Sequence, residues 1–522
     1  MNAAVTASHR WLLAVLLLGG AFVAAYDLTL APVRYPYAAD SASYIEMADS
    51  LYHQGRPLVT PWDFAEGEAD QIPQRLFPPG FAVAIAVLIP FTGEARAAAL
   101  WPSRVAAALL PCLILFAFRG LLGDAALATL ALFALATPGV RGWQFLAYSD
   151  VLALAVAVLS LGALARGQGL IGAHRAPAPG WLVGAGLAAG AAYATRNAGL
   201  AVLAASVLSL GVQALRERGG IRALAWWAAG LAPPLVALWS YNLATFGRLQ
   251  PYTMPASTRV WYLNVGDYAL AQLTDVGLPW QAAEHMPPAL AAAVMALLAA
   301  GVALAWWRLR ADARRQGLVT LLGGYAFGGA LLLILSRSRY EWGGLIDVRN
   351  TLQYSWALAL VVALAVAALG NARARCAAQL LGVLLLAWLA LSTAVEVRTV
   401  RAGGPEFWQV LAQDRAVMAA AAAQPAQALV ASNYAVLFRI GAGRAVRQLE
   451  ISGDDKDFAG SLGVLAAAAG ARPAVLLLVC DDWTQHYSAC GGAPHAGLKP
   501  PDCTQVRREP PGVLLCRPGR GS

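Results

Sequence analysis

The chain has 522 residues, of which 59% are hydrophobic and 13% are charged, and its formal net charge is +9. Globular domains carry about 25% charged residues, so this composition excludes an ordinary soluble enzyme and predicts a polytopic membrane protein. The positive charge does not predict nucleic-acid binding, because the arginines fall in short connections between apolar segments and form no basic face with interleaved aromatics.

Eleven apolar segments are predicted to be transmembrane helices, since crossing a hydrocarbon core takes about 20 residues. They lie at about 11–30, 97–118, 124–139, 150–165, 181–195, 198–215, 223–245, 289–307, 318–335, 351–369 and 377–396. A further apolar segment, Phe81–Phe91, has only about 11 residues, too few to span comfortably. We therefore predict that it is interfacial or re-entrant.

The basic residues of the connections predict the orientation of these helices, because cytoplasmic loops are enriched in lysine and arginine. If Phe81–Phe91 does not cross and the N-terminus is cytoplasmic, every short basic connection faces the cytoplasm. These connections lie at 119–124, 166–175, 216–222, 306–316 and 371–375. The sequence thus predicts a multi-pass membrane protein with its long loops and its tail on the outer side.

The first outer loop, at 31–96, is the longest polar segment among the early helices, and it carries Asp40 soon after the first span. Segment Ser41–Gln54 has helical apolar periodicity and is predicted to be an amphipathic interfacial helix, with Ser41 or Ser43 as its cap. Asp40 then stands at the helix start. It is either a catalytic carboxylate or a first-turn residue that stabilises the helix dipole.

Two further charged residues lie at the outer ends of predicted spans. Asp150 closes the sequence LAYSD and opens the fourth span, where it is either functional or a helix cap. Arg196 lies between two spans joined by almost no loop, so it either extends toward water or lines a polar cavity. With Asn197 beside it, a buried anion site is a reasonable hypothesis, because a guanidinium suits phosphate.

Arg75, just before the sequence FPPG, and Arg349 in the DVRN turn add positive charge to the same predicted face. Two carboxylates and several arginines on one face are what a reaction on an anionic, lipid-linked phosphate donor needs. A metal site is not indicated. No D-x-D follows Asp40, and the acidic run at 63–70 lacks the alternating ligands of a calcium loop.

The tail is predicted to be a small α/β domain, with strands at Ala428–Asn433 and Ala474–Cys480 and a helix at 460–471 between them. It contains four of the six cysteines: Cys480, Cys490, Cys503 and Cys516. On a periplasmic face they favour two disulfides of undetermined pairing. The alternative is a zinc site, which the missing C-x-x-C spacing disfavours.

The chain resembles the GT-C superfamily of membrane glycosyltransferases over roughly residues 10–395. The resemblance is carried by motif order: SYIEMADSLYHQG, FPPGFAVAIAVLIPFTG, TPGVRGWQFLAYSD, GLAAGAAYATRNAGLAVLAA and DVRNTLQYSWALALVVAL. The most similar groups are the bacterial aminoarabinose transferases and the protein O-mannosyltransferases. The resemblance implies a GT-C-like α-helical membrane domain at 1–396, with interfacial helices in the 31–96 loop, and a separate periplasmic domain at 397–522.

The resemblance also implies roles for the candidate residues. Asp40 would be the catalytic carboxylate, Asp150 would assist it, and Arg75, Arg196 and Arg349 would bind the donor phosphate. The predicted activity is inverting transfer of a hexosyl or pentosyl group from a polyprenyl-phosphate sugar to a hydroxyl of a lipid, glycan or protein.

Two other functions stay open on the sequence. One is a transporter or flippase of a lipid-linked sugar, which would also need a cavity with arginines. The other is an assembly or sensor protein that presents the tail domain outside the membrane. The missing second acid after Asp40 departs from the metal-dependent oligosaccharyltransferase pattern, so a divalent metal stays open but is not supported by a D-x-D motif.

Overall fold

The computed structural model describes residues 2–64, 66, 69–172, 178–216, 219–251, 254, 256–279, 282–283, 285–341, 345–368, 372–449, 455–480, 490 and 502–517. The described residues form two compact units. The first comprises Met1–Asp27, Arg75–Ala84 and Leu100–Arg398, and the second comprises Leu28–Gln74, Ile85–Ala99 and Thr399–Ser522.

Most of the first unit is helical. Its α-helices, several of which extend into the second unit, are α1 (Asn2–Leu30), α3 (Gly80–Thr92), α5 (Trp101–Phe118), α6 (Asp124–Ala136), α7 (Pro138–Gln144), α8 (Asp150–Gly167), α9 (Pro179–Thr195), α10 (Leu200–Arg216), α11 (Gly220–Phe246), α12 (Trp261–Asp275), α13 (Pro288–Arg308), α14 (Ala313–Arg339), α15 (Val348–Ala368) and α16 (Ala372–Ala402). Short 3-10 helices cover Asn197–Gly199 and Leu309–Ala311.

The predicted fold class is confirmed. Within the described residues, nine helices are long and apolar enough to cross a membrane, or ten if the bent pair α6 and α7 is one span. The remaining predicted span corresponds to α9, which has 17 residues. The segment Phe81–Phe91 falls in the 13-residue helix α3. At 1.5 Å per residue this helix extends for about 20 Å, less than the roughly 30 Å of a hydrocarbon core.

The bend between α6 and α7 has a local cause. Thr137 alone separates the two helices, and Pro138 is the first residue of α7, a position that tolerates a missing N–H. The Thr137 side chain accepts a hydrogen bond from the backbone N–H of Val140 at 3.5 Å. The two helices meet at 57°, so α7 leaves the direction of α6.

Helices α9 and α11 approach each other closely through glycines. A Cβ on Gly186 would lie 2.0 Å from the carbonyl oxygen of Trp227, and one on Gly230 would lie 2.0 Å from the carbonyl oxygen of Val183. Small residues allow membrane helices to pack backbone against backbone. This contact fixes the position of α9, the helix that Arg196 directly follows.

Replacing Gly186 with alanine is expected to lower the thermal midpoint of unfolding, because the added methyl meets backbone that must move. The overpacking cost is about 1–3 kcal/mol. The matched control is Gly184→Ala on the same helix, where a Cβ meets nothing within 4 Å. Scanning fluorimetry of the two purified variants checks this, and equal midpoints would contradict the close approach.

The second unit contains helix α2 (Ala39–Gln54), the antiparallel pair β1 (Leu58–Val59) and β2 (Ile72–Pro73), and the short helix α4 (Ala95–Ala99). Its C-terminal part contains α17 (Phe407–Gln413), α18 (Arg415–Ala422), β3 (Leu429–Ser432), α19 (Ala435–Gly441), β4 (Arg447–Gln448), α20 (Asp455–Ala469), β5 (Ala474–Cys480), β6 (Asp502–Arg507) and β7 (Gly512–Arg517).

The five C-terminal strands form one sheet in the order β4-β3-β5-β7-β6. Strand β3 pairs in parallel with β4 and β5, and β7 pairs antiparallel with β5 and β6. The two strands predicted from sequence are β3 and β5, which are buried and apolar. The predicted disulfides are also present, as Cys480–Cys490 and Cys503–Cys516.

Candidate active site

Asp150 and two arginines form a buried charge cluster in the first unit. Asp150 is the first residue of α8 and has no exposed surface. Its Oδ2 lies 2.8 Å from Nη1 of Arg196 and 3.3 Å from Nε of Arg349. Three residues that are up to 199 positions apart in the sequence therefore meet at one point.

The helix ends explain why these side chains converge. Arg196 directly follows α9 and is extended, so the helix is interrupted there before the short helix at Asn197–Gly199. Arg349 lies in the first turn of α15, where Asp347 accepts a hydrogen bond from the Arg349 backbone N–H at 3.0 Å. Burial raises the pKa of Asp347, and the nearby Arg349 guanidinium partly offsets that rise.

Two aromatic rings hold the Arg349 side chain. Trp143 and Tyr148 stack with ring centroids 5.1 Å apart. The guanidinium carbon of Arg349 lies 5.0 Å from the Trp143 centroid and 4.3 Å from the Tyr148 centroid. Such contacts favour a cation over an aromatic face. The Asp150 carbonyl oxygen also accepts a hydrogen bond from Gln353 of α15 at 2.7 Å, which ties α8 to α15.

Helix α7, which carries Trp143, is held at its start by Asp275. Asp275 ends α12, which is not among the candidate spans, and its Oδ1 accepts a hydrogen bond from the Gly139 N–H at 2.7 Å. Burial raises the pKa of Asp275 to about 6, and hydrogen bonds from Ser355 and Gly139 oppose this rise. The aromatic support of Arg349 thus depends on contacts among α7, α12 and α15.

The cluster carries one negative and two positive side chains, and both arginines keep a little under a fifth of their side-chain surface exposed. A guanidinium has five N–H donors, so one arginine can bind more than one acceptor at the same time. Asp347 lies close to Arg349 and Asp150 and offsets the second positive charge, so the suitability for phosphate rests on the planar guanidinium groups themselves.

Arg75 lies elsewhere in the first unit. Its guanidinium carbon is 6.0 Å from the ring centroid of Phe246, the last residue of α11. The FPPG sequence that follows it packs against the end of α9, because a Cβ on Gly80 would lie 2.5 Å from the Ala194 carbonyl oxygen. The structure thus brings the segment after Arg75 to α9, the helix that Arg196 directly follows.

Asp40 belongs to the second unit and is half-buried in the first turn of α2. The helix begins one residue before it, at Ala39, and the backbone N–H of Ala38 donates to Ser41 Oγ at 3.0 Å. Ser41 therefore closes the helix start from its third position and is not the cap residue itself. The negative charge of Asp40 is favourable at this end of the helix.

Helix α2 is bound to the C-terminal part of the same unit by a bidentate ion pair. Arg439 of α19 donates through Nε to Glu46 Oε1 at 2.7 Å and through Nη2 to Glu46 Oε2 at 2.5 Å. The Arg439 side chain is 1% exposed and that of Glu46 is 20% exposed. Glu46 also accepts the backbone N–H of Thr60 at 2.7 Å.

Sequence reasoning did not identify Glu46 and Arg439, although a signal existed. Each is a charged residue flanked by apolar residues that are buried, Ile45 and Met47 around Glu46 and Phe438 and Ile440 around Arg439. A charge on a buried helix face indicates a partner. Among the residues that the structure describes, no three His, Cys, Asp or Glu side chains are close enough to share a metal ion.

Comparison with known proteins shows a shared fold. No protein-family model matches the chain, and no curated protein matches it. Among solved structures, ArnT from Cupriavidus metallidurans bound to undecaprenyl phosphate is similar with a TM-score of 0.57, at 14% identity over 98% of each chain. An Archaeoglobus fulgidus oligosaccharyltransferase in complex with zinc and sulfate is similar with a TM-score of 0.55, at 13% identity over 89% of this chain and 68% of that one.

This chain has the GT-C fold. The resemblance that the motif order indicated is therefore confirmed at the level of fold. The GT-C similarity to ArnT extends over 98% of the chain, so it includes the C-terminal sheet as well as the helices.

Proposed function

We propose that this GT-C protein is a glycosyltransferase that moves a monosaccharide from a polyprenyl-phosphate donor to a hydroxyl acceptor. The observation that carries the proposal is the cluster of Asp150, Arg196 and Arg349 within a fold shared with ArnT. ArnT was solved with undecaprenyl phosphate bound. A buried pair of arginines is suited to the single phosphate of such a donor.

In this proposal the two arginines bind the donor phosphate, and Asp150 holds them in place. Asp150 accepts from Nη1 of Arg196 and lies 3.3 Å from Nε of Arg349, which orients both guanidinium groups. Asp150 is then a positioning residue for the two arginines. This role differs from one in which Asp150 itself assists the acceptor. Arg75 is the third proposed phosphate ligand, supported by the contact between its FPPG segment and the end of α9.

Asp40 is the proposed general base. The acceptor hydroxyl oxygen attacks the anomeric carbon of the donor sugar while Asp40 takes the hydroxyl proton. The bond between the anomeric carbon and the phosphate oxygen breaks, and polyprenyl phosphate leaves with its charge held by the arginines. One displacement of this kind inverts the anomeric configuration.

The location of the reaction follows from the distribution of basic connections. The proposed orientation has a cytoplasmic N-terminus and places the first outer loop and the 397–522 domain on the periplasmic side of a bacterial inner membrane. The two disulfides support this orientation, because disulfides persist in an oxidising compartment. The 1–396 domain would carry the chemistry.

Replacing Arg349 with lysine is expected to raise KM for the donor by about tenfold or more, because the planar guanidinium is lost while the charge stays. Arg339→Lys is the matched control, since Arg339 is the last residue of α14 and lies over the ring of Tyr340. Steady-state kinetics with a lipid-linked donor check this. An equal change in KM for both variants would show that Arg349 does not bind the donor.

Reconstitution tests the function directly. The purified protein in liposomes is supplied with a polyprenyl-phosphate sugar and a lipid extract that contains acceptors. A transferase releases polyprenyl phosphate and glycosylates an acceptor. A flippase instead moves the intact donor to the other leaflet without cleavage, and that result would overturn the proposal.

A further inference from the structure

A cavity of about 310 Å³ lies at the end of the first unit opposite to Asp150. Its walls come from the residues just after α8, from the last turns of α10 and from the first turns of α14. Asp150 begins α8, and a helix of 18 residues extends for about 27 Å. The cavity is therefore separate from the candidate active site.

The inner wall of this cavity is polar. The Ser209 hydroxyl donates to Gln168 Oε1 at 3.0 Å, and Gln168 Nε2 donates to Gln213 Oε1 at 3.1 Å. Gln168 is 5% exposed and Ser209 is 4% exposed. These buried amide and hydroxyl groups satisfy one another's hydrogen bonds and give the cavity a polar wall, which suits a polar ligand.

Two arginines line the same cavity. Arg216 Nη1 donates to Gln316 Oε1 at 3.1 Å, and Arg314 Nη1 donates to the Gly172 carbonyl oxygen at 3.2 Å. Both acceptors are neutral, so these bonds orient the guanidinium groups without cancelling their charge. Two oriented guanidinium groups beside neutral amides are suited to a phosphate group.

The connections around the cavity are rich in arginine, and one of these arginines, Arg315, pairs with Asp312 at 3.4 Å. The Arg166 side chain donates to the Phe116 carbonyl oxygen at 2.6 Å, which brings the ends of α8 and α5 together. The basic residues in these connections are Arg119, Arg166, Arg222, Arg308, Arg310 and Arg315. Basic pockets between transmembrane helices bind anionic lipid head groups.

We propose that this cavity binds a phosphate group, and that its source is the head group of an anionic phospholipid. The cavity lies where candidate spans end or begin, at Arg216 and Ala313, which is the depth at which head groups lie. Its volume is at the lower end of the roughly 300–1,000 Å³ of small-molecule sites. The amides of Gln168 and Gln213 are suited to the hydroxyl or ester oxygens beside the phosphate.

The test measures lipid binding by the full-length protein and does not depend on any transfer activity. Native mass spectrometry compares phosphatidylglycerol with phosphatidylcholine, and scanning fluorimetry compares nanodiscs of the two lipids. The wild type is expected to prefer phosphatidylglycerol. The double variant Arg216→Gln/Arg314→Gln is expected to bind it at least about tenfold more weakly.

The matched control is Arg308→Gln/Arg310→Gln, which removes the same charge from the connection before α14 and leaves the cavity residues intact. It is expected to keep phosphatidylglycerol binding within about twofold of wild type, since neither Arg308 nor Arg310 lines the cavity. Arg314→Gln alone provides the same comparison if the double variant fails to fold in phosphatidylcholine nanodiscs. Equal losses in the cavity and control variants, or equal binding of the two lipids, would overturn the proposal.

Inorganic phosphate distinguishes the two sources of the ligand. Displacement of phosphatidylglycerol by phosphate, absent in the double variant, supports a phosphate site that also accepts the free ion. Phosphatidylglycerol binding that phosphate does not displace, but that the double variant loses, supports the lipid head group as the ligand.

Discussion

Asp40→Asn is expected to abolish sugar transfer while leaving the protein folded and inserted in the membrane. Asparagine has nearly the same size as aspartate but cannot accept the proton of the acceptor hydroxyl. Loss of a general base reduces rates by about 10²–10⁴-fold. Turnover of a lipid-linked donor by membranes that contain equal amounts of each protein measures the effect.

Asp49→Asn is the matched control for this prediction. Asp49 lies on the same helix α2, is exposed, and pairs with His53 at 3.6 Å. Its replacement changes the charge of the helix by the same amount and is expected to keep at least half of the activity, since exposed ion pairs contribute little. Full activity of Asp40→Asn would exclude Asp40 as the base.

Arg439→Ala is expected to have the largest effect on stability among the substitutions considered. It leaves Glu46 without its bidentate partner in a largely buried place, and removal of one member of a buried ion pair costs about 3–5 kcal/mol. Asp40 lies in the first turn of α2. Loosening the contact between α2 and α19 is therefore also expected to lower the transfer rate. Thermal unfolding and transfer assays on one preparation measure both effects.

The control for Arg439 is Arg472→Ala. Arg472 also bridges the tail and the first outer loop, but its partner Asp70 is 82% exposed and lies 3.4 Å away. Exposed pairs of this kind contribute about 0–1 kcal/mol, so this variant is expected to unfold close to the wild-type temperature. A charge-reversed pair, Glu46→Arg with Arg439→Glu, is expected to recover part of the loss. Equal stability of Arg439→Ala and Arg472→Ala would contradict the role of the buried pair.

The helical segments could be predicted because their signal is local. Each needs only a run of apolar residues, and the run that ends before Arg196 is visible without knowledge of its neighbours. The exception was the chain between 124 and 144, where Pro138 produces a bend that hydropathy does not reveal. Strands β3 and β5 were predictable for the same reason, since both are continuous apolar runs.

The arrangement of the site was only partly predictable. Asp150, Arg196 and Arg349 each stood out as charges at span ends, but their meeting depends on how α8, α9 and α15 pack. The bond between Glu46 and Arg439 joins residues 393 positions apart, so no local pattern could pair them. Disulfide pairing was undetermined for the same reason, because four cysteines allow three connectivities.

The structure also changes the reason for assigning Asp150 a role. The sequence indicated a carboxylate at the mouth of a span, and either capping or function would have explained it. In the structure Asp150 is fully buried and contacts both Arg196 and Arg349. The role that we propose for this buried carboxylate is to fix the orientation of the two arginines.

We propose that Asp40 and the arginine cluster serve a lipid-linked sugar transfer. One measurement on the cell envelope tests this proposal most directly. Mass spectrometry compares cell-envelope lipids and glycans from cells that lack the protein, cells complemented with wild type and cells complemented with Asp40→Asn. We expect one glycosylated species to disappear without the protein, to return with wild type and not to return with Asp40→Asn. An unchanged envelope in cells that lack the protein, or full restoration by Asp40→Asn, would contradict it.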